Sequence, residues 1–510
     1  MVERAHTPVH RPPRFHDFFL VPHPAEPAVI LLPDAQGWTL PNWVHDARRG
    51  RTGREHDDPF WPSAVQREVR RSMSLETTVL HAGLFDSRDA DTGDRHSVIV
   101  LELQQSASAP PGSRWARRAD LSHLPLAVPW HRATLARWFA ETEAGEPAPP
   151  ATSPARPPWQ RSGWYATAAA WMAAQLRNFG AVPAGPAEQL GTKLGRYLLR
   201  VPTSAGIAYF KALPAMYARE PRLLRLLAAT HPNRIPAVLA ADPDRHWFIT
   251  WDHGAPPLET VQDLGAWENA LRAFSELQAT WTSAETRQAD LLEAGCPDLR
   301  LERLAERTTA LLADRPALAR GEAADPGEAG LSAAEIHDLH AVAPWLRAAC
   351  DRLRHYGVPD GLVHGDFLPA NVALGKRGPV FVDWCEASLS HPFFSAVRFL
   401  ASAEWEGRPL REQPSVATRL RDAYLEPWSR YGSVDRLSRA FALAQALQPL
   451  HHALTYQHLW HLLAAESSAA HTWERRGVTA QSLRSFLRQR HAPPESCPSP
   501  ALTITIEPPG

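Results

Sequence analysis

Gly361 to Trp384 reads GLVHGDFLPANVALGKRGPVFVDW. An apolar start and the run Val380-Phe381-Val382 enclose a polar turn. In it, His364-Gly365-Asp366 is followed by Asn371, and Asp383 closes the second apolar run. Moving a phosphoryl group off a nucleotide needs few covalent partners. It needs a carboxylate beside the attacking hydroxyl and hard oxygen ligands for Mg²⁺. Asp366 suits the first role, and Asn371 with Asp383 suits the second. The Asp-x4-Asn spacing puts two of these side chains on one tight loop, and a strand end presents Asp383 opposite them. By residue frequencies HGDxxxxN arises by chance in about one in a thousand chains of this length, so the pattern is specific.

A second feature lies upstream. Tyr209-Phe210-Lys211-Ala212 reads as a strand, and Glu220 opens the helix expected after it. A lysine among apolar strand residues is costly unless paired. Only Lys193, Lys211 and Lys376 among the 54 basic residues are lysine, which makes Lys211 stand out against an arginine-rich background.

HGDxxxxN, with its trailing strand and Asp-Trp, resembles the aminoglycoside phosphotransferase and choline kinase branch of the kinase-like fold. The resemblance spans about Trp159 to Arg490. It implies an α+β, two-lobed protein-kinase-like fold, with a small β-rich lobe followed by a large helical one. It further implies ATP and Mg²⁺ as cofactors and a small-molecule hydroxyl as acceptor. On that reading Asp366 orients and deprotonates the acceptor, and His364 braces its loop. Asn371 and Asp383 hold Mg²⁺, Lys211 grips the α- and β-phosphates, and Glu220 fixes Lys211. Gly191 and Gly195, in GTKLG between the first two strands, match the phosphate-covering loop least well. The strand WFITW (Trp247–Trp251) falls at the adenine hinge. Two departures stand out: Cys385 replaces an acidic residue two places after the metal-binding aspartate, and Ser395 replaces a structural aspartate in Pro392-Phe-Phe-Ser395. Cys385 is read as a buried spectator. The family's acceptors include aminoglycosides, macrolides, choline, homoserine and sugar amines. Glu259, Asp263, Glu268 and Glu276 are the carboxylates a cationic acceptor could use.

Working outward, Ala144–Gln160 holds six prolines and reads as an extended linker. It separates an α+β domain over 1–143 from a kinase-like first lobe over 161–256. A helical lobe follows over 257–490, and 491–510 reads as a loose tail. Trp164–Phe179 is expected to be a helix buried along Ala168, Trp171, Gln175 and Phe179, with Gly180 as its C-cap. Ser332-Ala-Ala-Glu335 reads as a capping box. In the first domain, Pro62–Met73 reads as a helix between strand-like runs.

Trp38–Val44 (WTLPNWV) and Ala64–Leu75 (AVQREVRRSMSL) resemble an eroded Nudix domain. Arg67 and Glu68 match the Nudix helix REuxEExGu, in which u is aliphatic, but Arg71 and Ser72 stand where its metal-binding glutamates belong. The resemblance therefore implies a docking, sensing or structural part rather than a hydrolase.

Composition excludes other classes. A net charge of −1 argues against a nucleic-acid footprint. Four scattered cysteines without a CxxC argue against a disulfide or zinc scaffold. MVERAHTPVHRPPRF has no apolar core for export, so a cytoplasmic location is expected. Ala440–Ala465 lacks charge, but Pro449, three glutamines and four histidines mark it as a buried helix and not a membrane span. His451, His458 and His461 share a face of that helix and are expected to line the substrate side. The rival reading is a catalytically inactive nucleotide-binding scaffold. Protein kinase activity is disfavoured because HGD replaces HRD and no APE-type segment follows Asp383.

Overall fold

The computed structural model describes residues 14–46, 62–90, 92–143, 157–191, 196–282, 285–318, 330–403, 416–466 and 473–490. Most of the Pro-rich linker, Gly195 and the C-terminal tail lie outside them. The chain divides into two compact units. One comprises Met1–Ala151, Arg156–Ala212 and the last four residues, and the other Thr152–Ala155 and Leu213–Ile506.

The first unit contains β1 (Arg14–Leu20), β2 (Ala28–Asp34), β3 (Gly37–Thr39), β4 (Asn42–Asp46), α1 (Pro62–Met73), β5 (Thr77–Arg88), β6 (Arg95–Leu103) and β7 (Arg114–Arg117). After these come α2 (His131–Glu143), α3 (Trp164–Arg177), β8 (Glu188–Gly191), β9 (Tyr197–Thr203) and β10 (Gly206–Ala212). A mixed sheet of order β4-β1-β6-β5 forms its centre, with β1 and β6 parallel. Strand side chains alternate between faces, so β1 and β6 feed two cores. Phe18, Leu20, Val98 and Val100 pack with Leu135, Trp138 and Phe139 of α2. Phe19, Val21, Ile99 and Leu101 pack with Val65, Val69 and Met73 of α1. Burial on both faces explains why these strands read as unbroken apolar runs.

The helix over Trp164–Arg177 forms, but its buried face is Trp164, Ala168, Met172 and Leu176. The expected series Ala168, Trp171, Gln175, Phe179 is displaced around the helix, and Phe179 is 46% exposed. Gly180 adopts a positive φ of 67°, as a C-cap glycine does.

The same unit joins β8 to the N-terminal module through glutamine amides. Gln189, fully buried, accepts from Val79 N (2.7 Å) and donates to Val79 O (3.0 Å). Gln66 accepts from Gln189 N and donates to Ala187 O. Gln104 donates to Ala187 O and accepts from Ala187 N. The carboxamides act as surrogate peptide groups, extending the β5 ladder where no strand continues it.

The second unit begins with α4 (Glu220–Thr230) and the antiparallel hairpin β11 (Val238–Asp242) and β12 (Trp247–Trp251). Then come α5 (Leu264–Thr280), α6 (Glu285–Glu293), α7 (Leu301–Ala313), α8 (Arg315–Leu318), α9 (Ala333–Ala341) and α10 (Ala343–His355). The HGD region supplies β13 (Gly361–Val363), β14 (Val372–Gly375), β15 (Gly378–Phe381) and β16 (Ser388–Ser390). The remainder is α11 (Phe393–Ala403), α12 (Val416–Leu425), α13 (Val434–Glu466) and α14 (Trp473–Arg490). One apolar core runs through these helices, from Leu213 to Phe486. The chain is thus β-rich first and helical later, as expected. Among the described residues no helix is long and apolar enough to cross a membrane.

The Ser332/Glu335 capping box forms as expected. Ser332 Oγ accepts from Glu335 N, and Glu335 Oε2 accepts from Ser332 N. Arg484 of α14 also binds Glu335 at 2.6 Å. Arg484, then burial, then Ser332 set the Glu335 pKa, and the net effect lowers it from 4.5 to about 2. A depressed carboxylate pKa stabilises the fold above its ordinary value, and that stability is lost as pH falls through the folded value. Glu335→Gln should therefore lower the urea midpoint at pH 6. The gap to wild type should close between pH 4.5 and about 2. A gap that persisted at the acid end would overturn this assignment.

Candidate active site

β13 carries the chain into the catalytic turn, and Gly365 makes the turn possible. Its φ is +85°, and a Cβ there would lie 2.2 Å from the Glu386 carbonyl oxygen. An L-side chain fails on both counts, so a loop of this path must read HGD and not HRD.

His364 is fully buried against Trp384, Phe367 and Phe274. Its Nε2 donates to Val382 O at 3.0 Å, and its backbone N–H donates to Ser395 Oγ at 3.0 Å. Burial outweighs the nearby carboxylates of Asp366 and Asp383 and pushes its pKa down to about 4. At neutral pH the ring is uncharged, and the residue's two hydrogen bonds tie the loop to Val382 and Ser395.

Asn371 turns its amide nitrogen inward, donating to Asp366 O (2.8 Å) and, at 3.3 Å, to Asp366 Oδ2. That orientation leaves the amide oxygen, a hard ligand, outside these hydrogen bonds. Val382 N donates to Asn371 O, which draws the end of β15 onto the loop and brings Asp383 beside it. Asp383 has φ +66°, a left-handed conformation that aspartate tolerates better than most residues. Backbone strain of this kind concentrates at functional sites. Asp366, Asn371, Asp383 and His364 therefore converge. The Cys385 thiol is not a bystander: its Sγ lies 3.6 Å from Asp383 Oδ1.

Other expected residues are placed as follows. Lys211 lies in β10 of the first unit, between buried Phe210 and Ala212. Gly191 ends β8 in the same unit. Glu220, in the second unit, is 1% exposed at the start of α4. Its neighbours are engaged elsewhere, Arg219 with the Cys385 and Met216 carbonyls and Arg222 with Glu293. Of the suggested acceptor carboxylates, Asp263 caps α5 and Glu268 pairs with Arg419, while Glu276 faces solvent. His451 is buried against Ser388, and His461 pairs with Asp314 at 2.6 Å. His458 is half-buried, and burial and nearby cations push its pKa down to about 4.

Sequence reasoning missed Arg398. It is the one charged residue in α11, FFSAVRFLASA, and that isolation was the available signal. Its side chain is 10% exposed. Nε and Nη2 both donate to Asp366 Oδ1, at 2.9 and 2.6 Å. Nη1 meets His452 Nε2 at 3.2 Å, and His452 Nδ1 meets Ser482 Oγ at 2.8 Å. Ser395 Oγ accepts the His364 N–H.

Residues 188–437 match the model of the phosphotransferase enzyme family. The match covers just under half of the chain. That family comprises small-molecule kinases acting on hydroxyl groups, and every residue of the converged site lies inside the matched segment. Among solved structures, the chain is similar to a choline/ethanolamine kinase family protein from Mesorhizobium loti. Identity is 18% over 64% of this chain and 98% of that one, with a TM-score of 0.41. A choline kinase from Streptococcus pneumoniae matches at 14% identity over 62% and 99%, with a TM-score of 0.40. A macrolide 2'-phosphotransferase from Brachybacterium faecium matches at 15% identity over 61% and 97%, with a TM-score of 0.39. No curated protein matches the chain.

Proposed function

We propose that this protein transfers the γ-phosphoryl group of ATP, with Mg²⁺, to a hydroxyl of a small molecule. The observation that carries the reading is the convergence of Asp366, Asn371 and Asp383 on one braced loop and strand end. Asp366 receives the acceptor hydroxyl as a hydrogen-bond donor and sets its oxygen in line with the γ-phosphorus. As the new O–P bond forms, the bond from phosphorus to the bridging oxygen breaks and ADP leaves. The hydroxyl proton passes to Asp366 Oδ2 and then to solvent. Lys211 would neutralise the α- and β-phosphates, with Gly191 at the mouth of the covering loop.

The donor set fits Mg²⁺: a carboxylate at Asp383 and the amide oxygen of Asn371 are both hard oxygen ligands. Bound there, the ion would neutralise charge on the phosphates. Among the described residues no cluster of three or more His, Cys, Asp or Glu could hold a metal, so phosphate and water oxygens would complete the shell.

The rival reading, a nucleotide-binding scaffold without catalysis, draws on one observation: Arg398 already occupies one oxygen of Asp366. In the N-terminal module, Glu68 is bound bidentately by Arg71.

Thermal melting with ATP tests the proposal. Ligand at about 100 times its Kd adds about 2.7 kcal/mol, a rise of several degrees. Wild type should show that rise only with Mg²⁺, and Asp383→Ala should lose it. A wild type indifferent to millimolar MgATP would sink the reading.

A further inference from the structure

We infer that Arg398 is a positioning residue for the phosphoryl-transfer step, and that α13 and α14 hold it in place; the inference rests on the phosphotransferase reading. Two of its N–H groups converge on Asp366 Oδ1, which fixes the carboxylate's rotation about its side-chain bonds. Oδ2 is left with a single long contact from Asn371, at 3.3 Å. One oxygen is thus committed to structure and the other is kept for the acceptor. A carboxylate held from only one side could turn either oxygen toward the substrate and would spend much of its time misaligned. Misplacement of about 1 Å costs on the order of 100-fold in rate.

The arginine is itself constrained. Its third donor goes to His452 Nε2, so His452 accepts there and must carry its proton on Nδ1, which donates to Ser482 Oγ. The chain Ser482–His452–Arg398 links α14 to the catalytic loop at Asp366 through largely buried groups. It also gives the half-buried Asp366 a full counter-charge within the same unit. A buried guanidinium fork suits this task better than an ammonium, because planar donors fix the carboxylate's orientation as well as its charge.

The test uses the full-length protein and MgATP, with water as acceptor, so the natural acceptor need not be known. Arg398→Met should lower kcat for ATP hydrolysis about 10- to 100-fold with KM for ATP within about twofold of wild type. Arg398→Lys should restore only part of the rate. Arg398→Ala should be rescued by added guanidinium at concentrations that leave wild type unaffected. His452→Gln, whose amide oxygen can still accept, should outperform His452→Leu. A folded Arg398→Met with wild-type kcat would overturn the inference while leaving the phosphotransferase reading intact. The inference fails in the same way if Arg398→Met does not fold and Arg398→Lys matches wild type, or if Arg398→Ala is inactive without rescue. A wild type that neither binds nor hydrolyses MgATP would overturn both.

Discussion

Asp366→Asn is expected to lower phosphoryl transfer by about 10²- to 10⁴-fold while MgATP still raises the melting temperature. The asparagine keeps the shape of the side chain, and its carbonyl oxygen still accepts from Arg398. At the position of Oδ2, however, it presents an NH₂ group. The acceptor hydroxyl then meets a donor where it must itself donate, so it can be neither aligned nor relieved of its proton. Nucleotide binding depends on other groups and should survive. Steady-state kinetics with titrated ATP, alongside melting curves, check this. Transfer unchanged in a folded Asp366→Asn variant would move the assignment to the scaffold reading.

Asparagine is preferred to alanine here for an energetic reason. Asp366→Ala strands the Arg398 guanidinium, 10% exposed, without its counter-charge. Breaking a buried pair from one side costs about 3–5 kcal/mol, whereas replacing both partners by apolar groups is often nearly neutral. Asp366→Ala with Arg398→Met should accordingly be more stable than Asp366→Ala alone, though equally inactive.

What could be read from the chain beforehand follows from where the determining contacts lie. Asp366, Asn371 and Asp383 were legible because their chemistry is compressed into eighteen residues of contiguous loop and strand. The reason Gly365 must be glycine was not legible, since the obstructing atom is the Glu386 carbonyl. Arg398 and Ser395 lie about thirty residues from their partners on a helix whose period says which face is buried but not what it touches. In the N-terminal module, β1 went unread because Asp17 sits at a buried strand position; His45 and Ser97 satisfy it. β5 is broken by two register shifts that disguise its alternation. Sequence reading draws a boundary at the Pro-rich stretch 144–160, whereas the compact unit runs on to Ala212. Its joints are glutamines, residues that pattern reading consigns to the surface.

Those joints support the second large prediction. Gln189→Leu should destabilise the first unit by about 2–5 kcal/mol, near the upper range for a single substitution. Leucine matches the glutamine in volume but returns no hydrogen bond. The N–H and C=O of Val79, both served by Gln189, would be left buried and unsatisfied, at about 1–3 kcal/mol each. Gln66→Leu should cost less, because it strands Gln189 N while Ala187 O keeps Gln104 as a donor. The two amides share a network, so the double variant should lose less than the summed single losses. Chemical denaturation of the three variants measures this directly. There is also a functional consequence, because β8 ends at Gly191, where the expected phosphate-covering loop begins. If the N-terminal module anchors that strand, Gln189→Leu should raise KM for ATP well below its melting temperature, with little change in kcat. Stability lost without any change in KM would mean that the module supports the fold alone. Wild-type stability would mean that the amides are interchangeable with apolar packing and that β8 is held by its pairing to β9.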